Sequence, residues 1–203
     1  MSTQLRLYSV SLSTLGLFVR ATNTWLVQEG RARAAAMDAE GYVKATRTVT
    51  EALDDILHHR PKDPGAADAY GHAWEIVIDQ VESKRFDFGP MRRGAQFLDE
   101  ASRALRDLGV PDDLTPLGFM YQSPFTDTPH PAELPAIGHL PAARVADLLA
   151  ACRPVAEHLT DPDHAALTRT ILTAADEVAD FNRFADGMAD EDIPYCDLVT
   201  FYS

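Results

Sequence analysis

The chain has 203 residues, 46% hydrophobic and 24% charged, with a formal net charge of −13. That length can form one full core as a single domain, residues 1–203, without metal or disulfide staples. The composition is that of a globular protein, and the negative charge repels phosphate backbones, which excludes nucleic acid as a general partner.

The opening segment Met1 to Arg6 lacks the pattern of a signal peptide. Nowhere do about 18 apolar residues run together to span a membrane. Leu5 to Leu12 alternates in polarity, with only Tyr8 out of step, and is predicted to form a strand. Ser13 to Met37 is expected to be helical, with boundaries blurred by Gly16 and Gly30. Val49, Leu53, Ile56 and Leu57 keep helical spacing behind a Thr48/Glu51 capping box, and Pro61 prevents continuation. Tyr70, Trp74, Val77, Ile78 and Val81 form the next apolar stripe. At 100° per residue, Asp68, His72, Glu75, Asp79 and Glu82 fall opposite it and are expected to face water.

Phe86 to Pro141 keeps a hydrophobic inventory but is expected to be mostly irregular. Its exception is a helix carrying Phe97, Leu98, Ala101, Leu105 and Leu108, ended by Gly109. Val110 to Pro141 holds seven of the thirteen prolines, yet its Leu, Phe, Met and Ile residues are too apolar for a disordered linker. It is predicted to be a long ordered loop capping the helical body. A helix with Val145, Leu148, Leu149 and Cys152 follows Pro141. The last helix carries Leu167, Ile171, Ala174, Val178, Phe181 and Ala185 behind the Asp161-Pro162 start. Asp197 to Tyr202 is strand-like. The fold class is therefore α+β: mostly helical, with a small sheet in which the two terminal strands pair directly or through a third.

Several residues invite chemistry. His72 and Glu75, with Asp79 beyond, have helical spacing for a metal, but no ligand from another element is identifiable, so no metal site is assigned. His58 and His59 close a helix whose C-terminal dipole favours cations. Arg92 and Arg93 stand near the N-terminus of the Phe97 helix, where an anion could be held. Tyr121 and His139 lie in the apolar loop and complete the candidate ligand-binding set. Cys152 and Cys196 have neither metal-ligand spacing nor the look of a disulfide framework, which suits a cytoplasmic compartment. No nucleotide or other cofactor motif is present, so no cofactor is assigned.

Leu7 to Leu12, Tyr70 to Glu75, Phe88 to Arg92, Leu134 to Leu140 and Phe201 to Ser203, taken in order, resemble an uncharacterised actinobacterial family bearing a domain of unknown function. More distantly, the layout is similar to the YfbM-like proteins. That family carries an aromatic residue after the Pro-Met-Arg run, where this chain has Arg93-Gly94. The resemblance implies a mostly helical α+β cytoplasmic protein and no reaction. The leading expectation is a non-enzymatic interaction module of immunity or regulatory type, whose acidic surface and apolar loop meet a basic protein. The alternative is a small-molecule enzyme or binding protein holding an anion near Arg92 and Arg93; a structural homo-oligomer is a third.

Overall fold

The computed structural model describes residues 3–20, 24–41, 43, 45–91, 94–129, 135–188 and 191–203. Strand β1 (Thr3–Val10) leads to helices α1 (Leu12–Arg20), α2 (Thr24–Ala39), α3 (Val49–Leu57) and α4 (Ala67–Val81). Strand β2 (Lys84–Met91) precedes α5 (Gly94–Asp107) and the short α6 (Pro116–Phe119). Strand β3 (Ala136–Leu140), α7 (Ala142–Cys152), α8 (Pro162–Gly187) and β4 (Asp197–Tyr202) complete the described elements.

The four strands form one antiparallel sheet in the order β2-β1-β4-β3. The terminal strands pair directly, Leu7 opposite Thr200, as the first of the two sequence-based alternatives has it. Two strands that read as irregular flank them. In β2 the Gly-Pro pair disguises the alternation. Phe86 pairs with Leu7, a bulge interrupts the register between Leu5 and Arg6, and Gly89 supplies the positive φ of 87° there. In β3, Gly138 is required by close approach. A Cβ there would lie 2.3 Å from the Met120 Cα.

Both faces of the sheet are covered. Leu5, Leu7, Leu198 and Tyr202 join one core with α5 to α8. Tyr8, Val10, Val199 and Phe201 join another with α1, α3 and α4. Tyr8 is therefore in step after all, because a strand buried on both sides needs no polar face. The segment from Val110 onward packs as anticipated, with Leu114, Phe119 and Met120 buried. It also crosses the β3 edge, so that Met120 serves the first core and Phe125 the second.

The helix signals hold in detail. Thr48 Oγ1 accepts from the Glu51 amide at 3.1 Å while Glu51 accepts from the Thr48 amide at 2.9 Å. Asp161 accepts from the amides of Asp163 and His164. Gly30 lies buried on α2 where that helix meets Ile76 and Leu53. Helix α4 departs from expectation. Its residues from Ala69 to Ile78 are all buried, because its apolar stripe meets α2 and α3 while its polar side meets the sheet. His72 is 6% exposed and Glu75 4%, so the water-facing assignment is wrong for the middle of this side, while Asp68 at its start is exposed as expected.

Candidate functional site

That buried polar side is a charge network, because Glu75 and Asp79 each find a cation on a neighbouring element. Arg6, on the same face of β1 as Tyr8, forms an ion pair with Glu75, and His72 Nδ1 lies 3.4 Å from Glu75 Oε2. Arg33 of α2 pairs with Asp79, and Arg85 of β2 approaches it at 3.9 Å. Burial, followed by the Arg6 charge, pushes the His72 imidazole down to about 4. Burial and the Asp79 carboxylate push Glu82 up to about 7. Burial also holds the Tyr8 phenol far above its ordinary range. Among the described residues no group of three or more His, Cys, Asp or Glu could hold a metal ion. The network holds α4 to the sheet through Arg6–Glu75 and Arg85–Asp79.

The sequence-derived candidates fall elsewhere. Arg92 and Arg93 lie outside the described residues. Tyr121 is 40% exposed and meets Tyr202 edge-on, with ring centroids 6.4 Å apart. Burial and the neighbouring Tyr202 push its phenol up to about 12. His139 stands opposite Val199 on the other face of the sheet, its Nε2 3.7 Å from Asp197 Oδ1. Asp197 in turn accepts from the Ala142 amide at 2.7 Å, so it fixes the start of α7. Tyr121 and His139 share no face.

A solvent-open cleft lies between α1, the end of α3 and the Pro124–Asp127 loop, with a volume of about 280 Å³. Its apolar lining includes Leu15 and Val19 on one side and Trp74 and Phe125 on the other. The Trp74 and Phe125 rings stack in parallel 3.8 Å apart, and Trp74 Nε1 donates to Thr128 Oγ1 at 3.0 Å. Arg20, His59, Lys62 and Asp127 contribute its polar groups. Lys62 donates to Asp127 at 2.5 Å, and that hydrogen bond holds the Asp127 carboxyl below its usual range. His59 has a φ of 49°, a left-handed conformation after the helix end where glycine is the usual residue. No periodicity marks this set, because it comes from four separate segments. The only legible hint is a histidine, followed by Arg60-Pro61, at a helix end where glycine would be favoured.

Among the described residues no helix is long and apolar enough to cross a membrane. No curated protein and no solved structure matches the chain. Its whole length, residues 1–203, matches the family described as Domain of unknown function (DUF7691), and the chain belongs to that family.

Proposed function

We propose that this protein is a non-enzymatic binding module that holds a small ligand in the cleft between α1 and the Pro124–Asp127 loop. The carrying observation is the separation of chemistry from space. His72, Glu75 and Asp79 lie between α4 and the sheet, engaged with one another or with Arg6, Arg33 and Arg85. The cleft offers aromatic and aliphatic walls with a few polar groups, the usual make-up of a ligand site, at a volume just below the roughly 300–1,000 Å³ range of such sites.

A protein partner is the second reading, in the immunity or regulatory sense. Leu17 and Trp25, each 66% exposed, favour it, as does an acidic surface suited to a basic protein. Among the described residues of the Phe119–Leu140 loop, Phe119, Met120 and Leu140 are in the core, and Tyr121 is exposed. Arg92 and Arg93 stay candidates for an anion near the start of α5, and Tyr121 and His139 stay candidates separately. The module acts as a single domain in the cytoplasm, a setting that the unpaired buried Cys152 and Cys196 favour. An actinobacterial origin and a distant kinship with YfbM-like proteins belong to the same proposal and leave its chemistry unchanged.

Native mass spectrometry of the protein after incubation with a metabolite extract tests the reading. A small molecule should stay on the wild type and be lost from a Gly16→Phe variant, because the Gly16 Cβ direction opens into empty space at the cleft. Conversion of an extract component by the protein, or retention unaffected by the plug, would overturn it.

A further inference from the structure

We propose that the cleft recognises small carboxylates with an apolar body, their charge held by Arg20 and the His59 imidazole while the body lies on the Trp74–Phe125 floor. This rests on the binding-module reading and adds the chemical class of ligand.

The charge argument comes from which cations are already matched. In a chain with 31 acidic and 18 basic residues, a cation normally finds a carboxylate nearby. Lys62 is matched to Asp127 within the cleft itself. Arg20 is exposed, lines the cleft and is in no ion pair or side-chain hydrogen bond among the described residues. With Lys62 and Asp127 cancelling, Arg20 gives the cleft a net positive charge in a protein of net charge −13. A guanidinium accepts a carboxylate through two parallel N–H donors, which favours that anion over a neutral or cationic head.

His59 supplies the second observation. A non-glycine residue in the left-handed region costs stability that glycine would avoid, and such departures concentrate at functional sites. The position keeps an imidazole on the cleft wall, beside the Lys62–Asp127 pair. The apolar lining supplied by Leu15, Val19, Trp74 and Phe125 selects an aliphatic or aromatic body rather than a sugar or a phosphate ester.

Trp25→Phe leaves Trp74 as the sole tryptophan, and so as a reporter inside the cleft. That variant is titrated with octanoate, octanol and octylammonium while Trp74 fluorescence is followed. Octanoate should give a saturable change and bind more tightly than either of the others. Arg20→Glu should weaken octanoate by about tenfold or more, and Arg20→Gln by less, with octanol unaffected. His59→Gly should weaken octanoate severalfold while leaving Tm unchanged or raised, a combination that a purely structural histidine would not give. Equal binding of all three probes would overturn the carboxylate assignment and leave the module reading standing. Absence of any saturable response, or octanoate binding indifferent to Arg20, would also overturn the assignment; retention of an extract molecule would then decide the module reading by itself.

Discussion

His72 shows how a single side chain changes meaning when its surroundings are known. Its folded value of about 4 lies below the ordinary 6.5, because charging it would place a cation in a buried site near Arg6. Above pH 6.5 it is neutral folded or unfolded and has no effect. Between 6.5 and 4 the unfolded chain takes up a proton that the folded one refuses, so stability falls as the pH drops through that window. Glu82 acts in the opposite sense. Its carboxyl is raised from 4.5 to about 7, so its contribution is fully present below 4.5 and is lost as the pH rises to 7. The two slopes oppose each other between pH 4.5 and 6.5. Urea midpoints across that interval should therefore separate two variants. Glu82→Gln should steepen the loss of stability on acidification, and His72→Asn should flatten or reverse it. Parallel profiles for both variants and the wild type would contradict the assignment. Helical periodicity alone hides this network: it turns a polar helix face toward water, whereas Arg6 and Arg85 come from strands beneath that face. Arg6, alone and charged between Leu5 and Leu7, was the residue that called for a buried partner.

At the level of elements, caps and apolar stripes were legible because their causes are local. Thr48 with Glu51, and Asp161 with Pro162, need only their own neighbours. Strands β2 and β3 were not, since β2 depends on a distant partner to offset Gly89-Pro90 and β3 to offset Gly138. The cleft was hidden for the same reason, its walls being drawn from helix ends and a loop. Two glycines make the distinction measurable. Gly16 sits inside α1 with no atom within 4 Å of its Cβ direction, so Gly16→Ala should stabilise by about 0.5–1 kcal/mol. Gly138 sits in β3 with Met120 Cα at 2.3 Å and Thr200 Oγ1 at 2.4 Å from that direction. Gly138→Ala forces backbone apart and should cost about 1–3 kcal/mol. Chemical denaturation of the two variants should give shifts of opposite sign; a shared sign would mean that the segment from Val110 does not press on β3 as described.

Across the whole molecule, the sheet divides the interior into two cores, and the chain after Val110 is fastened to both. Phe119 and Met120 bury on the α5–α8 side, and Phe125 stacks on Trp74 on the α1–α4 side. One segment thus closes the β3 edge and forms a wall of the cleft, which couples ligand binding to how firmly the loop is held. Removing the Phe125 ring should reveal that division. Phe125→Ala deletes a buried aromatic and its stacking contact, an expected cost of about 3 kcal/mol. The loss should be local. Amide exchange should rise at Phe125 and Thr128, whereas the Gly118 and Met120 amides, bonded to Thr115 and Pro116, should keep their protection because the first core still grips them. Uniform loss of protection on both sides would show that the two cores open together, and that the cleft wall cannot loosen without unfolding the sheet.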